Sequence, residues 1–487
     1  MKILLIQFAL VGALLSQHPG PAMAQSLSAE QAALDAAILV NTMQALHPAL
    51  DKYRTPAQVA ASFERFRQRA TAARSAGEMY LAATELAAAV RCGHTWTNVL
   101  NQQGPVKKQL LEAPDKLPFT MTLVAGRWLV LASADPAIAA GDEVLAIDGR
   151  TALQVVSMML PYLRADGASD GKRLRQLGHD RDDYSMMDIV WPLLAPPAAG
   201  VYRISAVRGA AAPKSVEVRA ITLAARAAAI RPRSKPDERW SLRIDGARAV
   251  MTLPTFSVYR SKFDWKHFFS DSFAELRRAN VEQLVIDIRR NEGGDGAIGT
   301  ALLSYLVAAP MTHVSDQSVT MVERVPAEMQ RHLQTWDVRF FDRSGLVDQI
   351  ADGPQAGRLS FRPNARKLVE IAPQPMRFTG KAWLLVGPEN SSATFMLAKL
   401  AKASGAATLI GQVTGGNERG LNGGQLAWVT LPASGVAVDI PLLAATYSAT
   451  TPDAGVTPDI VVYPSFALRA AGRDQEMEAL DKLLQRP

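Results

Sequence analysis

The 487-residue chain contains a single cysteine, Cys92, so no disulfide can form within it and apolar cores must hold the fold together. It also lacks any basic run with interleaved aromatics. The net charge of +7 is scattered along the chain, which points away from nucleic acid and towards solubility or an acidic envelope surface. After the first residues, no apolar run is long enough for a membrane span. With 48% hydrophobic residues, the chain can build two or three cored domains and is not a disordered protein.

Residues 1–24 have the plan of a secretory signal: Met1-Lys2, an apolar run from Ile3 to Leu15, the helix breaker Pro21, and small residues at Ala22 and Ala24. The expectation is cleavage after Ala24 and a soluble, exported protein, periplasmic or secreted, with a retained N-terminal anchor as the alternative. Residues 25–110 are Ala-rich with helical spacing, as in Leu34, Ile38, Leu39 and Met43, then Phe63, Phe66, Tyr80, Leu81 and Leu86. His47-Pro48 breaks this helical domain. Its last helix runs out at Arg91-Cys92-Gly93-His94, where a histidine suits a tucked polar tip or a helix-end charge partner as well as a catalyst.

Residues 115–225 change to short β-rich segments: Phe119 to Val124, Trp128 to Ala132, Glu143 to Ile147, Val201 to Val207 and Ser215 to Ile221. Within them Gly141-Asp142 leads into a strand closed by Asp148-Gly149, a segment that resembles a PDZ domain. That resemblance implies capture of an extended peptide. Leu163 to Asp188 interrupts the pattern as a long polar insertion, and Arg231 to Pro236 reads as a linker.

Residues 238–487 alternate strands and helices. A buried strand, Leu284 to Ile288, runs into Arg289-Arg290-Asn291-Glu292-Gly293-Gly294, and paired glycines there let backbone N–H groups approach a ligand or simply make a tight turn. Ala382 to Val386 is a second buried strand. After Pro388-Glu389-Asn390, Ser391 and Ser392 fall on the turn into a helix that Ser404-Gly405 ends, ahead of a further strand, Ala407 to Ile410. A serine on such a turn stands beside free helix N–H groups that would stabilise an oxyanion, although Asn390 or either serine also suits a plain helix cap. Leu346 to Pro363 reads as an irregular excursion and Ala467 to Leu484 as one amphipathic helix.

Taken in order, Cys92-Gly93-His94-Thr95, the Gly141-Asp142 segment, Asp287 to Gly294, Asn390-Ser391-Ser392-Ala393, Gly411-Gln412-Val413-Thr414-Gly415-Gly416 and Gly455-Val456-Thr457-Pro458-Asp459 resemble the S41 peptidases, the C-terminal processing and tricorn-type serine proteases. The resemblance implies a multidomain α/β fold: a helical N-terminal domain, a PDZ-like β-rich domain and a crotonase/ClpP-like α/β catalytic core. It implies Ser392 as nucleophile, the N–H groups of Gly294 and Ala393 as oxyanion hole, and peptide or unfolded polypeptide as substrate, with no cofactor or metal. Asn417 stands where the lysine-dependent branch has its base, and the resemblance to the tricorn-like branch implies His94 as base with Asp453 as its acid; Asp459 is the rival acid, though after Pro458 it also suits a structural turn. Phe395 replaces an acid that many members carry near the nucleophile. The alternative is a decayed member of the same fold that binds an apolar ligand or peptide.

Overall fold

Two capping boxes set the first helices. Ser28 and Gln31 exchange side-chain and backbone bonds at the start of Ala29–Leu46, and Thr55 and Gln58 do the same for Pro56–Ala72. Between them the chain breaks at His47-Pro48, where the His47 ring bonds the Thr95 hydroxyl at 2.8 Å and accepts from the Ala49 N–H. A third helix, Ala76–Ala89, is buried along most of its length. Leu39, Met43, Phe63, Phe66, Tyr80 and Leu86 meet in the core, each large apolar side chain worth roughly 1.5–3 kcal/mol by burial, whereas Leu34 faces solvent and narrows the expected stripe. The computed structural model describes residues 26–181, 183–230, 240–259, 261–314, 318–353, 355–362 and 368–485. The expected cleavage after Ala24 and the linker Arg231 to Pro236 lie outside these residues.

The β-rich segments form an antiparallel sheet in the order Phe119–Val124, Arg127–Ser133, Glu143–Ile147, Val201–Val207, Lys214–Arg219. Asp148 and Gly149 both have positive φ, 49° and 76°, as a two-residue hairpin turn requires. The polar insertion folds into short helices, among them Asp170–Arg175 and Met186–Ile189. Its anchor is buried Asp188, which takes two bonds of 2.7 Å from Arg226 and one of 2.8 Å from His179. One continuous apolar cluster joins this sheet to the N-terminal helices and to the small sheet that includes Leu426–Thr430 and Ala437–Pro441.

The C-terminal half is built on a six-stranded sheet in the order Ile460–Val461, Thr408–Gly411, Lys381–Val386, Gln283–Asp287, Arg248–Thr252, Ser241–Asp245. The first five are mutually parallel, and only Ser241–Asp245 pairs antiparallel. Strands buried on both faces need apolar residues on both, which is why Leu284, Val285 and Ile286 run consecutively. Helices Trp265–Arg278, Gly296–Ser304 and Ser392–Ser404 cover one face, and Gln475–Leu484 covers the other through Leu480. The architecture is mixed α/β.

Two expectations are corrected. Leu346 to Pro363 contains strands Val347–Gln349 and Leu359–Phe361, which pair with each other and, through Leu359–Phe361, with Ser318–Thr320. These strands are three residues long, too short to show a period. The C-terminal stretch is two helices, Phe466–Ala470 and Gln475–Leu484, parted near Gly472 at φ 70°.

Candidate active site

The turn after Lys381–Val386 is held by Asn390, which is fully buried. Its side-chain oxygen accepts the Gly387 N–H at 2.8 Å, and its amide donates to the carbonyls of Ile288 and Asn291 at 2.5 and 3.0 Å, so one side chain ties the ends of two neighbouring strands together. Ser391 occupies the N-cap position of helix Ser392–Ser404 but makes no side-chain cap bond. Its hydroxyl donates to the Glu292 carbonyl at 3.1 Å and accepts from Lys172 Nζ at 2.7 Å. Ser392 is different. It sits at φ 51°, left-handed backbone that costs a non-glycine residue roughly 1–3 kcal/mol. Its hydroxyl has no hydrogen bond to any described residue.

Gly293 and Gly294, at φ 111° and 135°, bring the other glycine-rich turn against this one. A β-carbon on Gly293 would lie 2.8 Å from Ser392 Cβ and 2.9 Å from the Ala393 nitrogen, and one on Gly294 would lie 2.2 Å from the Phe256 carbonyl carbon. Neither position admits a side chain. Among the described residues the N–H groups of Gly294 and Ala393 donate to no protein acceptor, which leaves two donors beside a strained serine.

His94 follows the end of helix Ala76–Ala89. Its Nδ1 is buried without a hydrogen-bond partner among the described residues, while its Nε2 faces Gly423, where a β-carbon would come within 2.4 Å. The carboxylate beside the ring is Asp166, from the polar insertion, 1% exposed and held by the Gly93 N–H at 2.8 Å. Burial pushes the imidazole below its ordinary pKa; Asp166 and Glu292 oppose that shift, and Arg164 and Lys172 reinforce it. Arg164 itself stacks 3.8 Å from the Trp96 ring centroid and donates to the Gly93 carbonyl. Lys172 links the two parts of the site. It is 3% exposed and reaches Glu292 at 3.1 Å, the Glu389 carbonyl at 3.3 Å and Ser391. Burial would raise the Glu292 carboxyl, but the Lys172 and Arg181 cations outweigh it and hold that group below the usual carboxylate range.

Asp453 has other partners than His94. Its Oδ1 accepts from Asn417 Nδ2 at 2.7 Å and from the Ala168 N–H at 2.8 Å, and it packs where Gly167 has no side chain. Asn417 therefore serves to hold this carboxylate. Lys399 pairs with Glu418 and Lys402 with Asp459, whose other oxygen accepts the Leu409 N–H as a structural group would. Asp166, Lys172 and Gly423 went unread in the sequence. Asp166 and Lys172 lie in a polar insertion more than 200 residues from the serine turn, and no local period assigns such a segment to a distant site.

The Gly423 contact gives a direct check. Gly423→Ala must push the imidazole by more than half an ångström, and displacement of that order costs about a hundredfold in rate. The expected result is a strong fall in kcat/KM for peptide hydrolysis at an almost unchanged melting temperature. An unaltered kcat/KM would show that the ring placed against Gly423 takes no part in turnover.

Comparison with known proteins bears on the whole arrangement. Residues 248–462 match the model of the family described as Peptidase family S41. No curated protein matches the chain in sequence. Among solved structures, a mutant of CPAF aligns with a TM-score of 0.64 at 16% identity, over 93% of this chain and 96% of that one. Mature CPAF complexed with lactacystin aligns with a TM-score of 0.60 at 15% identity, over 93% and 97%. The chain is thus similar to the S41 peptidases in sequence over residues 248–462, and similar in fold to CPAF over nearly its whole length.

Proposed function

We propose that the protein is a serine peptidase in which Ser392 attacks the peptide carbonyl and His94 is the general base. The observation that carries this reading is the strained Ser392 beside the Gly294 and Ala393 N–H groups, which bind nothing else among the described residues. In the reaction a neutral His94 takes the Ser392 proton as the hydroxyl adds to the carbonyl. The N–H groups of Ala393 and Gly294 receive the oxyanion, and the imidazolium then protonates the leaving amine. Water repeats the sequence to release the acyl group. Asp166 stabilises the imidazolium from beside the ring. Asp453 acts one step back, fixing Ala168 and Asn417 and with them the loop that carries Asp166. The lack of a Ser392 hydrogen bond fits a site whose catalytic bonds tighten around substrate.

In this reading the antiparallel sheet from Phe119 to Arg219 is a PDZ-like module that presents extended or unfolded polypeptide, and the protein works outside the cytoplasm after cleavage at Ala24. A decayed binding protein would have no reason to keep a strained serine beside two open donors. The test is labelling with a fluorophosphonate probe followed by peptide mapping. Label on Ser392 is expected; a folded protein that takes label on Ser391, or takes none, would overturn the assignment.

A further inference from the structure

The only cysteine of the chain stands two residues before the proposed base, and the structure gives the pair a third companion. Cys92 is buried, and one donor atom each from Cys92, His94 and Asp166 lie within 4.8 Å of one another. The cluster is tied together by backbone bonds: the Gly93 N–H holds Asp166 Oδ1 at 2.8 Å, and the Gly167 N–H donates to the Arg91 carbonyl at 2.9 Å. Asn422 Nδ2 donates to the sulfur at 3.5 Å. The second pointer is the buried Nδ1 of His94, which finds no hydrogen-bond partner among the described residues.

We propose that Cys92, His94 and Asp166 form a binding site for a zinc ion, and that zinc reversibly inhibits the enzyme by occupying the base. One thiolate, one imidazole and one carboxylate are a three-ligand zinc set with a fourth position left for water, and their two negative charges neutralise the ion. Magnesium and calcium prefer all-oxygen sets, so this donor mixture selects a softer metal. Zinc bond lengths place ligand atoms about 3.3–3.8 Å apart, so the three side chains must close by roughly 1 Å. On binding, the Cys92 proton leaves to solvent and the sulfur–zinc bond replaces it, so uptake strengthens as pH rises. A His94 nitrogen bound to zinc has no lone pair for the Ser392 proton. The inhibitory consequence rests on the peptidase reading above; the binding itself does not.

The experiment titrates metal-free protein with Co²⁺ as a spectroscopic probe and displaces it with Zn²⁺, alongside inhibition of peptide hydrolysis. One equivalent of cobalt with thiolate-to-metal absorption is expected in wild type. The absorption should vanish in Cys92→Ala and Cys92→Ser, and zinc inhibition in those variants should weaken by about tenfold or more, with a chelator restoring wild-type activity. Two cysteine variants are used so that one folded protein suffices. No thiolate band at stoichiometric cobalt, or equal zinc sensitivity in wild type and a folded Cys92 variant, would overturn the site. A cobalt band in a protein that hydrolyses no peptide would leave the site standing and refute the peptidase reading instead.

Discussion

Ser392→Ala is expected to fold as wild type does and to lose peptide cleavage by roughly 10⁴-fold or more, while Ser391→Ala keeps most of it. The two serines are adjacent, but the backbone turns their hydroxyls to different tasks. Ser391 accepts from buried Lys172 and donates to the Glu292 carbonyl, so its hydroxyl is committed within the protein. Removing it leaves a buried ammonium with Glu292 and the Glu389 carbonyl as partners, a loss of roughly 1–2 kcal/mol in stability. Ser392 instead stores strain at φ 51° and bonds its hydroxyl to no described residue. A third variant separates activity from stability: Ser392→Gly relieves the left-handed strain, so it should melt at or above the wild-type temperature although it is inactive. Kinetics and thermal melts of the three variants settle the assignment. Full activity in Ser392→Ala, or a Ser392→Gly protein clearly less stable than Ser392→Ala, would contradict the geometry.

The contrast between the serines shows which parts of the site could be read from residues alone. The β-turn-α-β unit was legible because a buried parallel strand and an amphipathic helix each carry a local signature. Strand Lys381–Val386 and helix Ser392–Ser404 fall within a residue of where the apolar runs put them. The paired glycines were legible for a related reason, since Gly293 and Gly294 both take φ values that side chains resist. Asn390 was open to a capping reading, and the structure gives it a larger task, bonding both Ile288 and Asn291 across the strand ends. What could not be read is everything the polar insertion contributes. Asp166 and Lys172 are hydrophilic residues in a hydrophilic stretch, and only its docking, with Asp166 against Gly93 and Lys172 against the serine turn, gives them their burial. The short strands near Val347 and Leu359 could not be read because three residues are too few to show a period.

The same insertion decides how the base should titrate. With a chelator present, peptide hydrolysis by the wild type should rise with pH along an acid limb whose midpoint lies below the ordinary imidazole value of 6.5. The sign follows from the groups around the ring. His94 accepts the Ser392 proton only when neutral, and burial, the largest influence, favours the neutral form, so the proton leaves at a lower pH than in water. Asp166 and Glu292 pull the other way, while Arg164 and Lys172 add to burial. Asp166→Asn removes a charge that stabilises the imidazolium; its acid limb should move to still lower pH while kcat falls, because the same cation forms in the transition state. Lys172→Gln removes a cation and should move the limb to higher pH. His94→Ala should lose about a hundredfold or more in kcat/KM and the limb itself. The measurement is a pH profile of kcat/KM for the four proteins at equal fluorophosphonate-accessible concentration, or at equal folded concentration for His94→Ala. If Asp166→Asn and Lys172→Gln shifted the limb in the same direction, the titrating group would not be the imidazole between them; an unchanged His94→Ala profile would remove this histidine from the mechanism altogether.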